Sequence, residues 1–202
     1  MLKFIAAMAF LGSAAALGEP TMAQTPATAK AGGVITAVNG SEVDITQQDG
    51  SKLAFELSDK TGVALVSKIA IDAIKPGSFV GTGAMPDAKG ALTAMEVTVF
   101  PEALRGVGEG NRPWDAGPTS SMTNGTVSTV VGTSNRTMTV TYKGGEKTVI
   151  IPDNVPVVTF ETGDKSLLVP GANGVVRGHK GDDGKIVAAF VSVGKDGLVP
   201  PM

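Results

Sequence analysis

One segment of the chain gathers the side chains best suited to recognising a ligand. Trp114, the only tryptophan, stands between Pro113 and Asp115, with Arg105, Glu109 and Arg112 just upstream. An indole can stack on a sugar or another flat ligand, as aromatics do in the clefts of OB-type barrels. It can equally bury between two packed units and fix their relative position. Carboxylates on a loop can hold Ca²⁺ through their oxygens, and Glu102, Glu109 and Asp115 are of that type. Here they alternate with Arg105 and Arg112, so mutual pairing or solvation answers for them as well. Trp114, Arg112, Arg105, Glu109 and Asp115 are therefore the ligand-binding candidates.

Other chemistries find less support. His179 is the only histidine, in the polar run His179-Lys180-Gly181-Asp182-Asp183-Gly184. A histidine base needs an orienting carboxylate and a nucleophile close by; Asp182 and Asp183 fit a turn equally well. The run Gly106-Val107-Gly108-Glu109-Gly110 invites comparison with phosphate-cradling loops, but those open a helix, and Pro113 follows here without a helical pattern. No cysteine occurs, which removes disulfides, thiolate nucleophiles and thiolate metal sites. Zinc sites use several His or Cys ligands. The methionines beyond residue 23, Met85, Met95, Met122, Met138 and Met202, are scattered rather than clustered as a copper site would need. The residues thus predict no catalytic set, no metal site and no cofactor.

The elements that must position Trp114 read as strands. Val43 and Ile45 alternate with polar neighbours; so do Leu53, Phe55 and Leu57; Met95, Val97 and Val99; Met138, Val140 and Tyr142; and Ala189, Val191 and Val193. A period of two marks a half-buried strand. Asn39-Gly40 and Asp49-Gly50 suit tight hairpin turns. The pattern occurs twice. Gly33-Val34-Ile35-Thr36-Ala37-Val38 recurs as Gly125-Thr126-Val127-Ser128-Thr129-Val130 at an offset of 92, and Pro76-Gly77 recurs as Pro170-Gly171 at 94. Before each Pro-Gly pair a short segment breaks the alternation and reads as one helical turn. Three strands, a turn of helix and two more strands is the order of an OB-like barrel. The sequence therefore predicts an all-β protein of two tandem OB-like small β-barrels, with small β-sandwiches as the alternative. Their limits are 33–102 and 125–202, after a flexible segment 24–32. Residues 103–124, rich in Gly and Pro, read as a long linker.

Residues 1–23 read as a secretory signal. Lys3 precedes an apolar run from Phe4 to Leu17, and Thr21-Met22-Ala23 offers small residues for cleavage. The run is about 14 residues, short of the ~20 that span a bilayer. Export to the periplasm or beyond follows, with the mature chain starting near Gln24. The formal net charge is −2 with no basic cluster, against a nucleic-acid partner. After residue 23 no apolar stretch approaches membrane length.

The segment Phe100-Pro101-Glu102-Ala103-Leu104-Arg105-Gly106-Val107-Gly108-Glu109-Gly110-Asn111-Arg112-Pro113-Trp114-Asp115 resembles the middle of a family of small exported bacterial proteins of unknown function. Ser121-Met122-Thr123-Asn124, Tyr142-Lys143-Gly144-Gly145 and the ending Gly194-Lys195-Asp196-Gly197-Leu198-Val199-Pro200-Pro201-Met202 also match. The resemblance implies a periplasmic protein with OB-like β domains. Some members are labelled metal ABC transporter permease; a permease needs several membrane spans, and this chain offers none after its signal. The leading expectation is a non-enzymatic exported binding or accessory module for a protein or small-molecule partner. The alternatives are an accessory protein for metal or cation transport, and a hydrolase-type enzyme using neither Cys nor His.

Overall fold

The computed structural model describes residues 28–131, 136–181, 183 and 185–201. The signal over 1–23 lies outside the described residues. Twelve strands run through the described chain: β1 (Thr28–Asn39), β2 (Glu42–Gln47), β3 (Lys52–Lys68), β4 (Phe79–Pro86), β5 (Leu92–Val99), β6 (Gly110–Pro113), β7 (Ser121–Val131), β8 (Thr137–Tyr142), β9 (Gly145–Ile150), β10 (Val157–Thr162), β11 (Asn173–Lys180) and β12 (Ile186–Gly194). The only helical pieces among the described residues are single 3₁₀ turns. Two of them, Ile71–Ala73 and Lys165–Leu167, precede the Pro-Gly pairs.

Strands β1, β2 and β3 form an antiparallel meander. β1 also pairs with β11, β11 with β12, and β12 runs parallel to β3 from Ile186↔Phe55 to Gly194↔Val66. These pairings close a five-stranded barrel, β1-β2-β3-β12-β11. Inside it lie Ile35, Val43, Ile45, Phe55, Val176 and Val191, each fully buried. These are the inward members of the alternating runs. Cutting a side chain such as Phe55 to alanine in a core of this kind costs about 3–5 kcal/mol.

The remaining strands close a second circuit of pairings. β4 pairs with β5 and β7, β7 with β8, β8 with β9, and β9 returns to β5 through a short parallel bridge, Leu92↔Val149 and Thr93↔Ile150. Its interior is a separate apolar cluster that includes Val80, Val97, Met138, Val140 and Val149. β10 joins the two circuits, antiparallel to β3 on one side and parallel to β5 on the other.

The pairing departs from the segmentation 33–102 and 125–202. The closed barrel takes three strands from the first stretch and its last hairpin, β11–β12, from the second; β4–β5 goes the other way. Local alternation could not show this, because a hairpin buries the same face whichever three-stranded partner it joins. From β3 onward the register keeps an offset of 94. Val66 faces Phe160 across β3–β10, 94 positions away. The same shift carries Val97↔Val157 onto Val191↔Val63 and Leu92↔Val149 onto Ile186↔Phe55.

One further expectation changes. The described part of the segment read as flexible, 28–32, is the start of β1, held from Thr28↔His179 to Gly32↔Val175. Its partner lies far along the chain, so no local pattern announces it. The stretch 103–124, read as a long linker, is ordered: a 3₁₀ turn at Glu102–Leu104 leads into β6, which pairs with β7 from Gly110↔Asn124 to Pro113↔Ser121. Gly106 and Gly108 sit at φ +86° and +60°, a region that glycine enters without strain. They let the chain reverse within a few residues.

Candidate functional site

β4 and β5 diverge from strict alternation at one point, and that point shapes the site. Gly83 pairs with Glu96 and Ala84 with Ala94, so Met95 is an extra residue opposite a single step of β4. Such a bulge turns the strand and re-aims the side chains beyond it. Met95, read as inward, is 40% exposed. Ala94 and Val97 enter the core, while Glu96 and Thr98 face the other way, into a cavity between the two circuits. Ala189 repeats the bulge on β12, where Arg177 pairs with Phe190 and Gly178 with Ala188.

The cavity holds about 620 Å³. The closed barrel contributes Lys30, Arg177 and Phe190; the other circuit contributes Gly81, Glu96, Thr98, Met122 and Asn124; Arg112, Pro113, Trp114 and Asp115 come from the β6 excursion. Phe100 and Phe160, with ring centres 5.9 Å apart, form part of the apolar wall.

Trp114 is half-buried, and its position is explained by a missing side chain. A Cβ on Gly83 would lie 2.4 Å from the indole ring, so the ring rests directly against the β4 backbone. The turn behind it is fixed by the Trp114 N–H donating to the Ser120 carbonyl at 3.0 Å. The Ser120 hydroxyl donates to the Trp114 and Gly117 carbonyls. The indole thus rests against β4 and lines the cavity.

The charged lining is unevenly partnered. Lys30 Nζ donates to Asp115 Oδ2 at 2.7 Å, and this bond, with the lysine charge, holds the Asp115 carboxyl below its usual range. Glu96 is 8% exposed; its backbone carbonyl accepts from the Thr82 hydroxyl at 3.0 Å, but among the described residues its carboxyl has neither a hydrogen bond nor an ion pair. Burial pushes its carboxyl up from 4.5 to about 7, although the charges of Arg177 and Lys30 pull the other way and Asp115 adds to the rise. The Arg177 guanidinium likewise makes no hydrogen bond or ion pair among the described residues. Asn124 is 5% exposed; its amide Nδ2 donates to the Val107 carbonyl at 3.0 Å, and its Oδ1 meets no donor. Buried polar groups are nearly always satisfied. The Asn124 Oδ1 is closed off from solvent, whereas the Glu96 carboxyl faces the cavity without a partner, which marks the cavity as a place for a ligand. A carboxyl near 7 can also hold or release a proton at neutral pH.

Of the five candidates from sequence, the structure brings Trp114, Arg112 and Asp115 to this cavity. Arg112 turns its guanidinium to the Gly108 carbonyl at 2.9 Å. Arg105 is away from the cavity lining: its guanidinium grips both oxygens of Glu102, at 2.5 and 2.7 Å, and the Gly77 carbonyl at 3.0 Å. That bond holds Glu102 below the usual carboxylate range. Glu109 accepts from the Lys143 backbone N–H at 3.1 Å and ties the excursion to the β8–β9 turn. His179 is exposed near the end of β11.

Sequence reasoning missed Glu96, Lys30, Arg177 and Asn124. One signal was present for Glu96. The apolar residues of β5 fall on even numbers at Leu92 and Ala94, then on odd numbers at Val97 and Val99. That change of phase is what a one-residue bulge writes into a sequence. Among the described residues, no group of three or more His, Cys, Asp or Glu could hold a metal ion, and no helix is long and apolar enough to cross a membrane. Comparison with protein-family models, with curated proteins and with solved structures finds no match.

Proposed function

We propose that this protein is a non-enzymatic exported module that binds a small organic ligand in the cavity between its two strand circuits. One observation carries the reading. Glu96, 8% exposed, turns an unpaired carboxyl into a cavity of about 620 Å³ that is otherwise largely apolar. Ligand sites typically enclose ~300–1,000 Å³, are lined mainly by apolar and aromatic groups with a few convergent polar ones, and favour the seams between packed units.

The reading extends to architecture and place. The offset of 94 shared by the pairings from β3 onward and the strand order 1-2-3-5-4 of the closed barrel support two OB-like units that have exchanged their last hairpins within one chain. Exchange of identical elements is a low-cost way to join two copies. The leader-like residues 1–23 support work in the periplasm or outside the cell.

The test is a thermal-shift screen of a broad collection of small metabolites on the mature chain and on Val107→Trp. Val107 lines the cavity and is 52% exposed, so a larger side chain there narrows the mouth at little cost to the fold. Compounds that stabilise the wild type and fail on the variant support the reading. A collection in which every stabilising compound acts equally on both proteins, or in which none acts, overturns it.

A further inference from the structure

The two open charges in the cavity have opposite signs and do not meet. Glu96 stands on β5 and Arg177 on β11, one from each circuit, and no ion pair joins them. Of the other cations in the lining, Lys30 is committed to Asp115 at 2.7 Å and Arg112 gives a guanidinium N–H to the Gly108 carbonyl at 2.9 Å. What remains without any partner among the described residues is the Glu96 carboxyl and the Arg177 guanidinium.

Each open group specifies part of an occupant. A buried carboxylate without a partner is costly and is relieved by a cation or a strong donor. An ammonium, with three N–H groups and no acceptor, answers it. A guanidinium presents a fork of donors that matches a carboxylate. A purely cationic ligand would satisfy Glu96 but meet the field of Arg177 and Lys30. A purely anionic one would satisfy Arg177 and leave Glu96 buried and alone. The Phe100 and Phe160 wall favours an apolar body between the two charged ends.

We infer that the cavity takes a small zwitterion with an apolar body, of the chemistry of an amino acid or a short peptide, its ammonium on Glu96 and its carboxylate on Arg177. This rests on the binding role proposed above and narrows the class of ligand.

Three probes of one shape separate the charges: L-phenylalanine, which has both, phenethylamine, which has only the ammonium, and 3-phenylpropionate, which has only the carboxylate. Each is titrated by calorimetry against the mature wild type, Glu96→Gln and Arg177→Met. L-Phenylalanine should bind the wild type at least tenfold more tightly than either single-charge probe. Glu96→Gln should weaken L-phenylalanine and phenethylamine tenfold or more and leave 3-phenylpropionate unchanged. Arg177→Met should weaken L-phenylalanine and 3-phenylpropionate and spare phenethylamine. Arg177 is exposed and Glu96→Gln preserves shape, so both variants keep the fold; circular dichroism verifies it. A single-charge probe that matches or exceeds L-phenylalanine overturns the zwitterion while the binding role stands. Absence of binding by all three also overturns it, and the metabolite screen then decides the binding role alone.

Discussion

Removing the charge at Glu96 should stabilise the protein, and only above mildly acidic pH. In the folded chain burial holds the carboxyl at about 7, against 4.5 for an ordinary glutamate. Between those values the folded state keeps a proton that the unfolded state has released. Stability therefore falls as pH rises from about 4.5 through 7, and the full penalty is present above that. A difference of about 2.5 units at ~1.4 kcal/mol per unit gives about 3 kcal/mol. Lys30, Arg177 and Asp115 are the charges that act on Glu96 and are already within that figure. Glutamine has the shape of the neutral acid and never ionises. Glu96→Gln should thus match the wild type near pH 4.5 and exceed it by about 3 kcal/mol at pH 8.5. For a chain of this size that corresponds to roughly 6–12 °C in melting temperature. Urea unfolding at pH 4.5, 6, 7 and 8.5, followed by circular dichroism, gives the difference directly. A difference that stays constant across this range, or a wild type that gains on the variant as pH rises, would refute the argument that Glu96 is buried without a partner.

Other outcomes follow from the same geometry. Gly83→Ala should displace the indole, cost about 1–3 kcal/mol by overpacking and move Trp114 emission to the red; unchanged emission would mean that the ring does not rest on β4. Lys30→Ala should cost less than about 1 kcal/mol, since its partner Asp115 is 63% exposed. Because Asp115 is held below its usual range, whatever this pair contributes should be lost as pH falls through that lowered value; a pair effect that grows in acid would contradict the bond. Fragments 24–115 and 116–202, each lacking the hairpin that closes its circuit, should fail to unfold cooperatively alone and should recover native circular dichroism when mixed. Two fragments that each melt cooperatively on their own would restore the contiguous arrangement.

The strands themselves were largely written in the sequence. Val43, Ile45, Phe55, Met138 and Val140 sit inward where alternation puts them. What escaped was everything set by distant chain. β1 begins at Thr28 because β11 lies beside it, and the final hairpins cross between circuits because non-local pairing, not periodicity, chooses their partners. For the site, Trp114 was visible as the one large aromatic in a segment rich in turn residues. Arg105 belonged to the same segment but pairs locally with Glu102, three residues away. Glu96 was hidden by a bulge that reverses the meaning of inward and outward after Met95. Lys30 and Arg177 are ordinary strand cations until β1 and β11 are brought against the seam.

The most direct measurement is the emission of Trp114 during titration with the compounds that protect the protein in the metabolite screen. The indole is the only one in the chain and borders the cavity, so a ligand there must change its surroundings. A saturable change that fits one site per chain, and is lost when the Glu96 and Arg177 charges are both removed, is the result the account predicts. Protection that saturates while the emission of Trp114 stays fixed would place the ligand elsewhere and contradict it.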